Sequence, residues 1–151
     1  MRISSSYFVP DNLAIEALIE AQKRGVKIEI ILPGKDIDSQ ITRFVSRSLW
    51  RKLLRNGIDI YEYKPTMYHC KVMIVDDAWV SVGSTNFDNR SFRLNDEANL
   101  NLLDANFAAN QIRIFDQDKA NSKQITLEEW KHRPWSEKIL ENISRLLRYQ
   151  V

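Results

Sequence analysis

The sequence has one cysteine, almost no net charge and no long apolar run, and each shortage removes a class of protein. A lone Cys70 can form no internal disulfide and builds no cysteine-rich metal site, which fits a reducing compartment. Charged residues interrupt every apolar run before it reaches the ~20 residues a bilayer span requires. The opening MRISSSYFVPD has none of the ~7–15-residue apolar region of a secretory signal, so the chain reads as soluble. Its 22 basic and 20 acidic residues leave a formal charge of +2, which argues against nucleic acid as a partner, because such binders carry a strongly basic face. Repeats, linkers and low-complexity segments are absent. So is the G-x-S-x-G elbow, which makes Ser84 in VGSTN a poor serine-hydrolase nucleophile.

What is present is an ordinary globular composition, 44% hydrophobic and 28% charged over 151 residues, enough for one self-supporting domain. The Ser-rich start runs straight into YFVP, which points to a missing upstream portion. DNLAIEALIEAQKRG predicts a helix over 12–24, capped by Asp11, with Gly25 in the left-handed position behind it. Leu13, Ala14, Ala17, Leu18 and Ala21 recur there at helical spacing. VKIEIILP alternates as a strand with Val26, Ile28 and Ile30 on one face. Ile41, Phe44, Val45, Leu49 and Leu53 mark a second helix ending near Asn56-Gly57, and IDIYEY is the next strand. Strand–helix alternation of this kind predicts an α/β layer fold with parallel pairing.

Further on the pattern changes to two adjacent strands, 69–76 and 78–83, joined in a hairpin at Asp76-Asp77. EANLNLLD is another strand, with Ala98, Leu100 and Leu102 on one face and Glu97 and Asn99 on the other. A helix over 105–119 follows. The tail carries one more, with Ile139, Ile143, Leu146 and Leu147 on a side expected to pack on the domain, the alternative being contact with a membrane.

The chemistry concentrates in HCKVMIVDDAWVSVGSTN, residues 69–86. Alternation puts His69 and Lys71 on one strand face, roughly 7 Å apart along it, with Met73 and Val75, and turns Cys70, Val72 and Ile74 to the other. An imidazole and an ammonium so placed can hold one phosphoryl group. Lysine supplies charge and donors to its oxygens, and histidine can attack phosphorus or protonate a leaving oxygen. Gly83 lets the backbone approach a ligand, and Ser84 and Asn86 add donors. A His and a Lys two apart on a strand most often share a solvated face. The full pattern H-x-K-x(4)-D-x(6)-G-S-x-x-N is more exacting. With each fixed residue at about one in twenty, a chance match in the chain is on the order of one in a million.

That pattern, filled by His69, Lys71, Asp76, Gly83, Ser84 and Asn86, resembles the signature of the phospholipase D superfamily. YFVPD, RGVKIEIILPGK, YEYKPTMYHCKVMIVDD, GSTNFDNRSFRLNDEANL and ITLEEWKHRP look like the second catalytic half of bacterial cardiolipin synthases. The resemblance implies a phospholipase D-like half-domain, a mixed central sheet flanked by helices, spanning 1–151. It makes His69 the group that attacks phosphorus or protonates the leaving alcohol, and Lys71 the phosphate ligand. It places Ser84 and Asn86 in the phosphate pocket and gives Glu97 the task of bonding His69 and fixing its tautomer. Asp76 belongs to the signature but faces away from Lys71 at its strand end, and reads as structural support.

The resemblance further implies phosphatidyl transfer between phosphatidylglycerol molecules through phosphohistidine; the sequence offers no cluster of Asp, His and Cys for a metal, so no metal or cofactor is expected and charge stabilisation falls to Lys71 and polar donors. It implies a membrane-associated parent enzyme, although no membrane-spanning segment is legible here. Family members use two such motifs, and this sequence contains one. The second site half is then a further motif or a second copy of the chain, as in single-motif nucleases of the superfamily. The alternatives are a homodimeric phosphodiesterase, nuclease or phospholipase D, and an inactive half. Cys70 reads as an apolar filler, His132 as a surface or packing residue, and Arg90 and Arg93 as ion-pair partners or headgroup contacts.

Overall fold

Strand β1, Arg2–Ser5, runs through the middle of a seven-stranded sheet. It pairs in parallel with β3, Glu29–Pro33, which pairs in parallel with β4, Asp59–Tyr63. On its other side β1 pairs antiparallel with β5, Lys71–Val75. Beyond β5 come β6, Trp79–Gly83, and β8, Asn99–Leu103, both antiparallel to their neighbours. β9, Ser122–Ile125, closes the far edge antiparallel to β4. Two short strands, β2 (Phe8–Val9) and β7 (Phe87–Asp88), pair in parallel outside this sheet. The helices are α1 (Asn12–Lys23), α2 (Gln40–Arg55), α3 (Asn89–Arg93), α4 (Ala105–Ala120), α5 (Leu127–His132) and α6 (Trp135–Ser144). The computed structural model describes residues 1–144. Leu146, Leu147 and the side chain of Ile143 lie outside the described residues.

The mixed sheet flanked by helices is the expected architecture, and pleat alternation sorts its core into two layers. Ile28, Ile30, Leu32 and Ile60 pack with Ile15 and Ile19 of α1 and Leu49, Trp50 and Leu53 of α2. Ile31, Ile74 and Val80 face the opposite way, onto Ala108 and Phe115 of α4. Asp11 caps α1 by accepting from the Ala14 amide at 2.8 Å, and Gly25 follows with φ +96°. The hairpin also forms where expected. Asp76 and Asp77 take φ of 50° and 53°, consecutive left-handed residues characteristic of a type I′ turn.

Three packing expectations need correction. α1 buries Ile15, Leu18 and Ile19, while Leu13 is 70% exposed; the larger side chains, one step round the helix, take the core. In α2 the buried stripe runs Thr42, Val45, Ser46, Leu49, Trp50 and Leu53, which leaves Ile41 off the stripe and 52% exposed. In the tail helix Ile139 is 47% exposed rather than packed, because α6 meets α2 in part through an Arg47–Glu137 ion pair at 2.6 Å.

Candidate active site

The parallel strands β1, β3 and β4 end on one edge of the sheet, the edge where α/β proteins hold ligands. β1 delivers Ser5 and Ser6 there. β5 runs the other way, so its first residue, Lys71, stands opposite Ser5 in register. His69 lies just ahead of β5 rather than within it, and its side chain is exposed.

Lys71 Nζ lies 3.2 Å from His69 Nδ1 and 3.5 Å from Nε2. The same ammonium donates to Ser6 Oγ at 2.8 Å, and Ser6 Oγ donates to Asn86 Oδ1 at 2.5 Å. With Asn86 Oδ1 occupied, its amide NH₂ is left to donate to a ligand. Burial holds the Lys71 ammonium below the ordinary lysine range, a cost that a bound phosphate would offset. The Tyr7 ring stands edge-on to His69 with centroids 6.4 Å apart. Burial and then the Asp38 carboxylate push the Tyr7 phenol up to about 12. Beneath Lys71 a cavity of about 130 Å³ is lined by Met73, Thr85, Asn86, Phe87 and Phe92 among others.

Ser84 and Glu97 form a second cluster. Ser84 Oγ donates to Glu97 Oε2 at 2.5 Å and accepts from the Ala98 amide at 3.0 Å. Asn95 Nδ2 donates to the other Glu97 oxygen at 3.3 Å. The Ser84 hydroxyl holds the Glu97 carboxyl below its usual range, and Lys71 acts on it in the same direction. Glu97 is therefore an ionised neighbour of the Lys71 cation, but it bonds Ser84 and Asn95 and not His69. The Ser84 hydroxyl proton is likewise spent on Glu97 rather than aimed at a ligand.

His69, Lys71 and Asn86 thus converge, with Ser84 and Glu97 as a neighbouring pair. Asp76 does not join them; it sits in the hairpin turn at the other end of β5. Cys70 packs with the α4 layer, where burial pushes its thiol up, consistent with an apolar filler. Arg93 donates to Asp11 at 3.1 Å, and His132 lies on α5 beside Glu128 at 3.3 Å. Among the described residues no three His, Cys, Asp or Glu side chains group to hold a metal ion.

Sequence reasoning missed Ser6, Tyr7 and Asp38. Ser6 is the link that ties the lysine to Asn86, and its signal was the Ser run at the end of an unrecognised strand.

The fold defines the class. The chain superimposes on the phospholipase D family member Nuc from Salmonella typhimurium with a TM-score of 0.70 and 20% identity, covering 83% of this chain and 80% of that one. It superimposes on the phosphatidylserine synthase of Haemophilus influenzae Rd KW20 with a TM-score of 0.73 and 18% identity, covering 96% of this chain and 39% of that one. Sequence narrows this further. Residues 1–119 match the family described as cardiolipin synthase, PLD-like domain, and the chain belongs to that family. It is 37% identical over 145 residues to cardiolipin synthase 1 of Staphylococcus aureus (strain COL), which covers 96% of this chain and 29% of that protein. It is 33% identical over 149 residues to the minor cardiolipin synthase ClsB of Bacillus subtilis (strain 168), covering 99% of this chain and 37% of that protein. The chain therefore spans roughly a third of the length of these relatives.

Proposed function

We propose that this chain is a phospholipase D-like domain that supplies one half of a two-motif phosphatidyltransferase of cardiolipin synthase type. The observation that carries the reading is the His69–Lys71–Ser6–Asn86 chain of contacts at the ligand-binding edge of the sheet. The 37% identity to a cardiolipin synthase along nearly the whole chain supports it independently.

Transfer takes two displacements at phosphorus. First, an imidazole nitrogen attacks the phosphorus of one phosphatidylglycerol, and the bond to the headgroup glycerol oxygen breaks. A second imidazole, opposite the first, gives its proton to that oxygen and glycerol leaves. Then the second imidazole takes the proton of another phosphatidylglycerol's headgroup hydroxyl, whose oxygen attacks phosphorus. The P–N bond breaks and cardiolipin is released. Two phosphatidylglycerols thus give one cardiolipin and one glycerol.

His69 occupies one of these two positions and cannot occupy both. The other belongs to a second motif-bearing half or to a second copy of the chain related by a two-fold axis. Lys71 and the Asn86 amide neutralise the non-bridging oxygens as charge grows on them. Ionised Glu97 is one hydroxyl away, poised to orient an imidazole once the site is complete.

Labelled phosphatidylglycerol vesicles and DNA, offered separately to the protein together with a polypeptide carrying a second H-x-K-x(4)-D motif, test this. Cardiolipin and glycerol in equal amounts are the expected products. Phosphatidic acid alone would make it a phospholipase, DNA cleavage a nuclease, and no product with any substrate an inactive half.

A further inference from the structure

The core that α1 and α2 build over β1, β3 and β4 includes no residue of β6 or β8. On that side of the sheet Ile3 of β1 stands opposite Met73 of β5, and Met73 opposite Ser81 of β6, so the three share one face. Beyond Met73 the face turns from apolar to polar. Phe87 and Phe92, carried by the segment that follows β6, arch over it and leave the cavity of about 130 Å³ beneath Lys71. Phe87 is stacked on Phe8 with ring centres 5.2 Å apart and meets Phe92 edge-on at 5.3 Å, which fixes the apolar wall.

Asn99 sets the polar wall. Its Nδ2 donates to Ser81 Oγ at 3.0 Å, and its Oδ1 accepts from the Thr85 amide at 3.2 Å. Both residues line the cavity, and their hydroxyl protons are left over: among the described residues neither the Ser81 nor the Thr85 hydroxyl donates to any acceptor. Ser81 is only 6% exposed, and a buried hydroxyl without an acceptor is costly. The cavity therefore offers two hydroxyls, an apolar wall and, at its mouth, the Lys71 ammonium.

Size, charge and polarity narrow the occupant. A cavity of about 150 Å³ holds benzene, which has as many heavy atoms as glycerol, so a diacylglycerol limb stays outside. Among the described residues that line the cavity none is acidic. The carboxylates nearby are engaged, Glu97 by Ser84 and Asn95 and Asp88 by the Ser91 amide at 2.7 Å. An ammonium headgroup would enter with no counter-charge, beside the Lys71 cation. A purely apolar group would leave both hydroxyls unpaired. A small neutral polyol satisfies all three conditions.

We propose that this cavity seats the glycerol headgroup of the donor phosphatidylglycerol, and that Ser81 and Thr85 determine headgroup specificity by bonding its hydroxyls. The seat rests on the reading of Lys71 as phosphate ligand: with phosphate at the ammonium, its smaller substituent reaches down between Ser81, Thr85 and the phenylalanines.

Phosphomonoesters, each with a single substituent, test it without turnover, by titration of isotope-labelled protein followed through its amide shifts. Glycerol 1-phosphate should bind roughly tenfold more tightly than propyl phosphate, which lacks both hydroxyls. Phosphoethanolamine should bind no better than inorganic phosphate. Ser81→Ala with Thr85→Val should bring glycerol 1-phosphate to within about twofold of propyl phosphate and leave inorganic phosphate unaffected. Should the double variant melt early, because Asn99 loses its acceptor, Thr85→Val alone carries the test, with a several-fold loss of preference expected. Equal binding of glycerol 1-phosphate and propyl phosphate by the parent, or a preference undiminished in Thr85→Val, would overturn the seat alone, provided inorganic phosphate binds the parent and not Lys71→Met. Inorganic phosphate that fails to bind, or binds Lys71→Met as well as the parent, would overturn the Lys71 reading and the seat with it.

Discussion

Gly83→Ala should damage stability and site together, for a reason of space rather than backbone freedom. Gly83 ends β6 and stands opposite Asn99 of β8. A Cβ there would collide with the Ala98 carbonyl oxygen and Asn99 Oδ1, and come within 2.7 Å of Asn99 Cα. Two of these three atoms are backbone, so β6 and β8 must part. Overpacking of this kind costs about 1–3 kcal/mol, which in a domain of this size lowers Tm by roughly 2–12 °C. The same displacement strains the Ser84 amide bond to the Ala98 carbonyl, 3.0 Å long, and with it the Ser84–Glu97 pair. Turnover should fall about tenfold or more, since misplacement by roughly 1 Å can cost a hundredfold. Gly25→Ala is the control: Gly25 has φ +96° and no neighbouring atom within 4 Å of an added Cβ, so it should cost about 1–2 kcal/mol through the backbone alone and leave turnover unchanged. Circular dichroism melts and turnover per folded molecule read both. A Gly83→Ala protein that melts and turns over like the parent would refute the reasoning.

Asp76→Ala should lower Tm, because alanine tolerates φ of 50° poorly, while turnover per folded molecule stays within about twofold; a hundredfold kinetic loss at unchanged Tm would place Asp76 in the chemistry. Lys71 has its pKa lowered by burial, so activity should decline on the alkaline side at a lower pH than an ordinary lysine would dictate. Stability has the opposite sign: the unfolded chain binds that proton more tightly, so the contribution of Lys71 to stability grows as pH rises from the folded pKa to the unfolded one. A pH–rate profile and melts of Lys71→Met beside the parent check both signs. The proposed role of Lys71 and Asn86 in neutralising the phosphoryl oxygens predicts that transfer proceeds equally with and without excess EDTA; activity lost to EDTA and restored only by Mg²⁺ or Zn²⁺ would contradict that assignment.

Some of this was legible in the sequence because single residues dictate it. Asp11 and Gly25 bracket α1 by capping and left-handed geometry, and two consecutive aspartates set the hairpin. The spacing from His69 to Asn86 needs only pattern. The central strand β1 was not legible: RISS holds one large apolar residue, and it is a strand because β3 and β5 pair with it from both sides. Tertiary pairing outweighs propensity there. Ser6 was hidden for the same reason, since its value comes from where β1 ends. The partner of Glu97 was not legible either. Position along the chain brings the carboxylate near the site, but a serine hydroxyl 13 residues earlier competes for it and holds it. On α1, alanines at helical spacing looked as good as Ile15 and Ile19, which bury more area and so turn the helix their way.

The central claim is that His69 takes part in phosphatidyl transfer as one of two opposed imidazoles. The direct measurement is cardiolipin formed from phosphatidylglycerol vesicles by the protein and a polypeptide bearing a second H-x-K-x(4)-D motif, with His69 intact or replaced by alanine. The account predicts cardiolipin and glycerol in equal amounts from the intact protein, and neither from His69→Ala, whose melting temperature should match the parent because the side chain it loses is exposed. Cardiolipin made at an undiminished rate by His69→Ala would contradict it.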